Sequence, residues 1–168
     1  GAGIAPEAFA EDEEIIEAPP AINAVTKTPL LLFRAGDEAL QAVPLGQVMR
    51  LEDIAVERIE FAGAAPFVAY RGQFMPLLPM AAHWQAPKSG RQAVLVLSDG
   101  DRPLGLMVDE VLDVLDEALL IQPAASRSGY LGSAEVAGRI AQVIDTGYWL
   151  SRAYPDGIAG TPFCRQGA

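Results

Sequence analysis

A duplicated pattern of apolar runs constrains this chain more than any single residue does. Leu30-Leu31-Leu32-Phe33, followed by Ala35-Gly36-Asp37-Glu38, has a counterpart in Ala93-Val94-Leu95-Val96, followed by Ser98-Asp99-Gly100-Asp101. Laying Leu30 on Ala93, an offset of 63 positions, also brings Val43 onto Leu106, Leu45 onto Val108, Val48 onto Val111 and Leu51 onto Val114 without a gap. Each copy reads as an apolar strand, a turn in which Gly next to Asp supplies the positive φ of a short hairpin, a second apolar strand and an amphipathic continuation. Each also ends in two strands meeting near a glycine, Gly72 in the first copy and Gly138 in the second. Two similar small barrels are expected, with lobes over residues 28–81 and 93–150.

The 168 residues, 51% of them hydrophobic, suffice for one domain or two small lobes on a shared core. No apolar run approaches the ~20 residues that span a bilayer, so a soluble chain is expected. Of the net charge of −10, six units lie on Glu7, Glu11, Asp12, Glu13, Glu14 and Glu17, in a stretch without Lys or Arg. An acidic chain with no basic stripe repels phosphate backbones and anionic lipid, so neither nucleic acid nor direct membrane contact is expected. The single cysteine, Cys164, leaves no intrachain disulfide and fits the cytoplasm. Residues 1–27 read as an acidic linker and 153–168 as a C-terminal tail. Within the linker, a solvated tail competes with a short helix anchored by Phe9, Ile15 and Ile16 and ended by Pro19-Pro20.

Residues 81–92, 123–133 and those after Tyr154 read as irregular connectors. The first of these holds His83, the only histidine, and Trp84. With no Ser or Cys nucleophile beside it and no ligand at metal spacing, His83 reads as structural or surface. Trp84 suits either the cap of a lobe's core or a binding surface. Asp99 and Asp101 form a two-carboxylate turn that reads as solvated rather than as a cation site. Val143-Ile144-Asp145-Thr146-Gly147 has the form that places the carboxylate of an aspartic protease. That chemistry needs two carboxylates sharing a proton, and the matching position of the first copy is Pro79. Phosphate-loop, serine-hydrolase and zinc-protease motifs are absent from the sequence, so no catalytic residue, metal or cofactor is expected.

A set of ordered segments remains: Leu32-Phe33-Arg34-Ala35-Gly36-Asp37, Ala42-Val43-Pro44-Leu45, Val48-Met49-Arg50-Leu51-Glu52, Tyr70-Arg71-Gly72-Gln73-Phe74-Met75-Pro76-Leu77, Leu104-Gly105-Leu106-Met107-Val108-Asp109-Glu110-Val111 and Tyr130-Leu131-Gly132-Ser133. Together they resemble the CheW-like domain, and more narrowly the C-terminal regulatory domain of CheA-type chemotaxis histidine kinases, over residues 28–152. The resemblance implies an all-β fold of two intertwined five-stranded SH3-like barrels with short helical or irregular connectors. It also implies a non-catalytic role in the cytoplasm at chemoreceptor arrays, binding a CheW-type adaptor, a chemoreceptor tip and the parent chain's kinase core. Adaptors of the family carry Asn-Leu-Arg-Gly where this chain has Ala69-Tyr70-Arg71-Gly72, and an acidic residue where it has Arg50. Both departures favour the kinase domain over the alternative, a free-standing adaptor. The partner-binding residues implied are Arg50, Leu51, Tyr70, Arg71, Phe74, Val111 and Leu115. Arg71, just before a turn glycine, equally suits an exposed hairpin arginine with a local ion pair. Val48, Leu51, Val111 and Leu115 suit core or interface, with core expected from strand burial.

Overall fold

The structure, a computed structural model, describes residues 26–36, 40–123 and 127–155. The acidic linker up to residue 25, Asp37-Glu38 of the first turn, Cys164 and the tail from residue 156 lie outside the described residues. The strands are β1 (Lys27–Arg34), β2 (Leu40–Pro44), β3 (Arg50–Ala55), β4 (Glu60–Ala62), β5 (Ala65–Tyr70), β6 (Gln73–Pro79), β7 (Arg91–Asp99), β8 (Arg102–Val108), β9 (Glu110–Ala118), β10 (Tyr130–Val136) and β11 (Arg139–Ile144). One α-helix, α1 (Thr146–Ala153), follows them among the described residues.

Two sheets result, in the orders β9-β1-β2-β11-β10 and β3-β7-β8-β6-β5-β4. Each contains the opening hairpin of one sequence half and the later strands of the other, so both sheets draw on both lobes. The crossovers are the two parallel pairings, β2 with β11 and β6 with β8. Each sheet closes on itself through a bent strand. After β3, a 3-10 turn at Val56–Arg58 redirects the chain so that β4 pairs with β5. After β9, the chain turns to the bridge between Gln122 and Ser133 on β10. Counting β3 and β4 as one bent strand, each barrel has five strands, and the two are intertwined as the resemblance implied.

The continuous apolar runs are explained by three cores. Along β1, Leu30 and Leu32 face the interior of the first barrel, while Leu31 and Phe33 face a layer between the barrels. Along β7, Val94 and Val96 face the second barrel's interior, while Leu95 and Leu97 enter the same central layer. Successive strand residues point to opposite faces, so a strand buried on both sides shows no polar alternation. Trp149 of α1 completes the central layer, donating its indole N–H to the Gly129 carbonyl at 3.2 Å.

The repeat differs from its ungapped reading by one residue. Leu31 pairs with Val43, and Leu95 pairs with Leu106, so the first strands correspond at an offset of 64 and the second strands at 63. A slip of one residue would have exchanged the faces of the whole strand, so the extra residue sits in the β1–β2 turn.

Two stretches expected to be irregular contain strand: β7 starts at Arg91, and β10 already starts at Tyr130. Gly132, in the second of these stretches, lies at a β-bulge. The register shifts between Tyr130 and Gly132, and Gly132 has φ +150 with its Cα against the Gln122 carbonyl.

Candidate functional site

The two closing hairpins are alike in backbone and in what they expose. Arg71 and Gly72 have φ 52 and 84, and Ala137 and Gly138 have φ 52 and 78. Positive φ at both loop residues is the two-residue turn whose twist matches the flanking strands. Two residues beyond each turn glycine stands a large apolar side chain in solvent, Phe74 at 70% exposure and Ile140 at 63%. The bent strands repeat the pattern, with Leu51 at 45% and Val114 at 44%. Leu51 thus departs from the core expectation. It shares the outer face of β3 with Asp53, next to the exposed Met49 that precedes the strand, while Ile54 on the opposite face enters the core.

At the end of the second barrel the structure brings Arg50, Tyr70 and Arg71 together around Glu52. The Tyr70 hydroxyl donates to Glu52 Oε2 at 3.2 Å, and Arg50 Nε donates to the same oxygen at 3.1 Å. Arg71 lies over the Tyr70 ring at 5.8 Å and takes no carboxylate partner among the described residues. Burial first, then the bond to Glu52 and its negative charge, push the Tyr70 phenol up. Phe74 stands outside this cluster, edge-on to Phe67 at 5.4 Å. Glu52, the hub, was not among the expected site residues, and its place two positions after Arg50 on the same strand face was the available signal.

Val111 and Leu115 lie on β9, in the other sheet. Both are half-buried, Val111 against the central layer and Leu115 against the first barrel's core. The expected site residues therefore divide between the two barrels. Val114 and Ile140, on the first barrel, were missed; their equivalence to Leu51 and Phe74 is visible only once strand faces are assigned.

The remaining candidates are structural. Trp84 caps the second barrel, stacking on Phe61 at 6.5 Å and donating to Gln92 Oε1 at 3.1 Å. His83 is exposed. Asp99 pairs with Arg102 at 2.7 Å. The protease reading of Asp145 is corrected: Asp145 is the N-cap of α1, its carboxylate accepting from the Tyr148 amide at 3.3 Å, while Thr146 bonds Gln47. Asp-Thr-Gly here begins a helix.

The family model described as the CheW-like domain matches residues 29–153. The chain belongs to the CheW-like domain family. The match spans both barrels and ends on α1. Among solved structures, the scaffolding protein TtCheW from Thermoanaerobacter tengcongensis superposes with a TM-score of 0.59, covering 71% of this chain and 89% of that one at 15% identity. That likeness is one of fold. No curated protein matches the chain. Within this CheW-like domain, no helix among the described residues is long and apolar enough to cross a membrane.

Proposed function

We propose that the chain is a non-catalytic scaffolding and regulatory domain of a CheA-type chemotaxis histidine kinase, acting in the cytoplasm at receptor arrays. It binds a CheW-type adaptor and a chemoreceptor tip through surfaces on both barrels. One observation carries the reading: the two halves expose large apolar side chains at equivalent positions, Phe74 with Ile140 and Leu51 with Val114. Large exposed apolar side chains at matched sites mark surfaces that partners cover. Arg50, Tyr70 and Arg71 add a polar rim beside the Phe74 surface, and Val111 and Leu115 lie on the same strand as Val114. Membership of the CheW-like family supplies the partner class. Arg50 and Tyr70, where adaptors carry an acidic residue and Leu, support the kinase domain. Coupling follows if adaptor and receptor bind one placement of the domain relative to the kinase core more tightly than another.

A free-standing adaptor is the second reading, favoured by the likeness to TtCheW across 89% of that chain. Titration calorimetry against a CheW-type adaptor and against a kinase regulatory domain from the same organism separates the two. The kinase-domain reading expects saturable adaptor binding, weakened at least about tenfold by Phe74→Asp or by Ile140→Asp. Binding only to the kinase regulatory domain would establish the adaptor. Binding to neither at high micromolar concentration overturns both.

A further inference from the structure

The two barrels differ beside their closing hairpins. Glu60 on β4 pairs with Phe67 on β5, so Arg58, two residues before the one, stands opposite Ala69, two residues after the other. Gln122 bridges to Ser133 in the same antiparallel sense, which sets Leu120 opposite Glu135. Hydrogen-bonded and non-bonded pairs alternate along an antiparallel ladder. Tyr70 with Gln73, and Val136 with Arg139, flank the two-residue turns, so Ala69 and Glu135 both aim their N–H and C=O away from the hairpin. In the second barrel Arg58 Nη2 donates to the Ala69 carbonyl at 2.9 Å. In the first barrel Leu120 takes the place of Arg58 and brings no donor, and the Glu135 backbone bonds no other described residue. The strands stay joined only as far as Ser133, which exchanges bonds of 2.7 and 3.0 Å with Gln122. Beyond that bridge lies a groove of about 390 Å³, lined by Ala118, Leu120, Ala137 and Ile140 together with Glu117 and Glu135. Leu120 and Ile140 are 68% and 63% exposed.

We propose that this edge of β10 takes one more strand, an extended segment of a partner protein whose side chains alternate between apolar and basic. The proposal rests on the reading of the first barrel as a partner surface and names how that surface is used. An unpaired backbone N–H and C=O beside exposed apolar side chains is what an added strand satisfies, main chain to main chain, while the flanking side chains select its sequence. An apolar residue of the incoming strand lies against Leu120 and Ile140, and its Lys or Arg neighbours meet Glu117 and Glu135. The two carboxylates also select against other occupants. Two copies of this chain joined along the edge would bring Glu135 near its counterpart, and like charges across a ladder oppose pairing. An acidic segment meets the same repulsion. Charged side chains on an edge thus blunt indiscriminate pairing and leave it open to a strand of opposite charge.

The Glu135 amide reports on the edge, because its N–H is the group that an added strand bonds. Its hydrogen exchange is followed in the full chain alone, with an octapeptide of alternating lysine and valine at millimolar concentration, and with a CheW-type adaptor at saturation by calorimetry. The expected result is fast exchange in the free chain and slowing of at least about tenfold with the peptide and with the adaptor, the Leu32 and Val143 amides staying unchanged as a control for the fold. Leu120→Asp should abolish the slowing, and a peptide of alternating glutamate and valine should produce none. Slow exchange in the free chain overturns the proposal, since the edge would then be paired already. So does exchange that the lysine-valine peptide leaves unchanged, whatever the adaptor does. An adaptor that saturates the chain without slowing the Glu135 amide overturns it too, and leaves the scaffolding reading in place. Failure of the adaptor to bind counts against that reading, and the peptide result then decides the edge.

Discussion

A Cβ placed on Gly105 would lie 2.6 Å from Leu77 Cδ2 and 2.8 Å from Val94 Cγ1, inside the second barrel. Both neighbours are core residues with no room to retreat, so Gly105→Ala is expected to cost about 1–3 kcal/mol. Gly46→Ala, with nothing within 4 Å of the new methyl, should stay within about 0.5 kcal/mol. Urea midpoints of the two variants check the contrast. Tyrosine chemistry gives a second test at this scale. Burial raises both Tyr70 and Tyr154 above the value near 10 of an unfolded chain, and Tyr154 also donates to the Pro103 carbonyl at 2.7 Å. Above about pH 10 the unfolded chain releases phenolic protons that the folded one retains. The stability held below that pH is therefore lost as pH rises through the folded values. Urea midpoints measured between about pH 9 and 11 should fall, and the fall should be shallower in Tyr70→Phe, Tyr154→Phe.

At the scale of elements, α1 shows both the reach and the limit of the sequence. Asp145 before Tyr148, Trp149 and Arg152 is a helix-start signal, but its Asp-Thr-Gly spelling is shared with the aspartic-protease motif. Because Asn caps about as well as Asp, Asp145→Asn should leave thermal stability nearly unchanged. Asp145→Ala should cost about 1 kcal/mol. A large loss in Asp145→Asn would count against the cap. Trp149→Ala, which removes a buried ring and its bond to Gly129, should cost about 3–5 kcal/mol. The strands were more legible: Leu30 to Phe33 and Val94 to Leu97 are apolar at every position because both faces are covered. The one-residue offset between them was not legible, since either register aligns apolar on apolar and only the assignment of faces to cores separates the two. The outward face of Leu51 was not legible for a related reason, as an apolar residue on a bent strand reads alike whether it faces a core or a partner. The Glu52 hub depends on the Tyr70 end of β5 meeting β3 across the barrel seam, a long-range closure that local pattern does not encode.

For the whole molecule, the decisive fact is that neither barrel belongs to one half of the sequence. Residues 26–90 carry only β1 and β2 of the first barrel, and residues 91–155 supply its other three strands. Produced separately, the two halves should each lack a cooperative unfolding transition, and mixing them should restore one, as read by circular dichroism during urea titration. A half that unfolds cooperatively alone would refute this account of the fold. The same interlacing sets how a load crosses the molecule. Phe74 on β6 joins β8 by a parallel pairing, β8 joins β7, and the central layer ties that hairpin to β1, β2 and so to β11, which carries Ile140. A pull at one barrel thus reaches the other through sheet bonds and packed side chains. The pair behaves as a stiff link, passing displacement between its two ends with little slack.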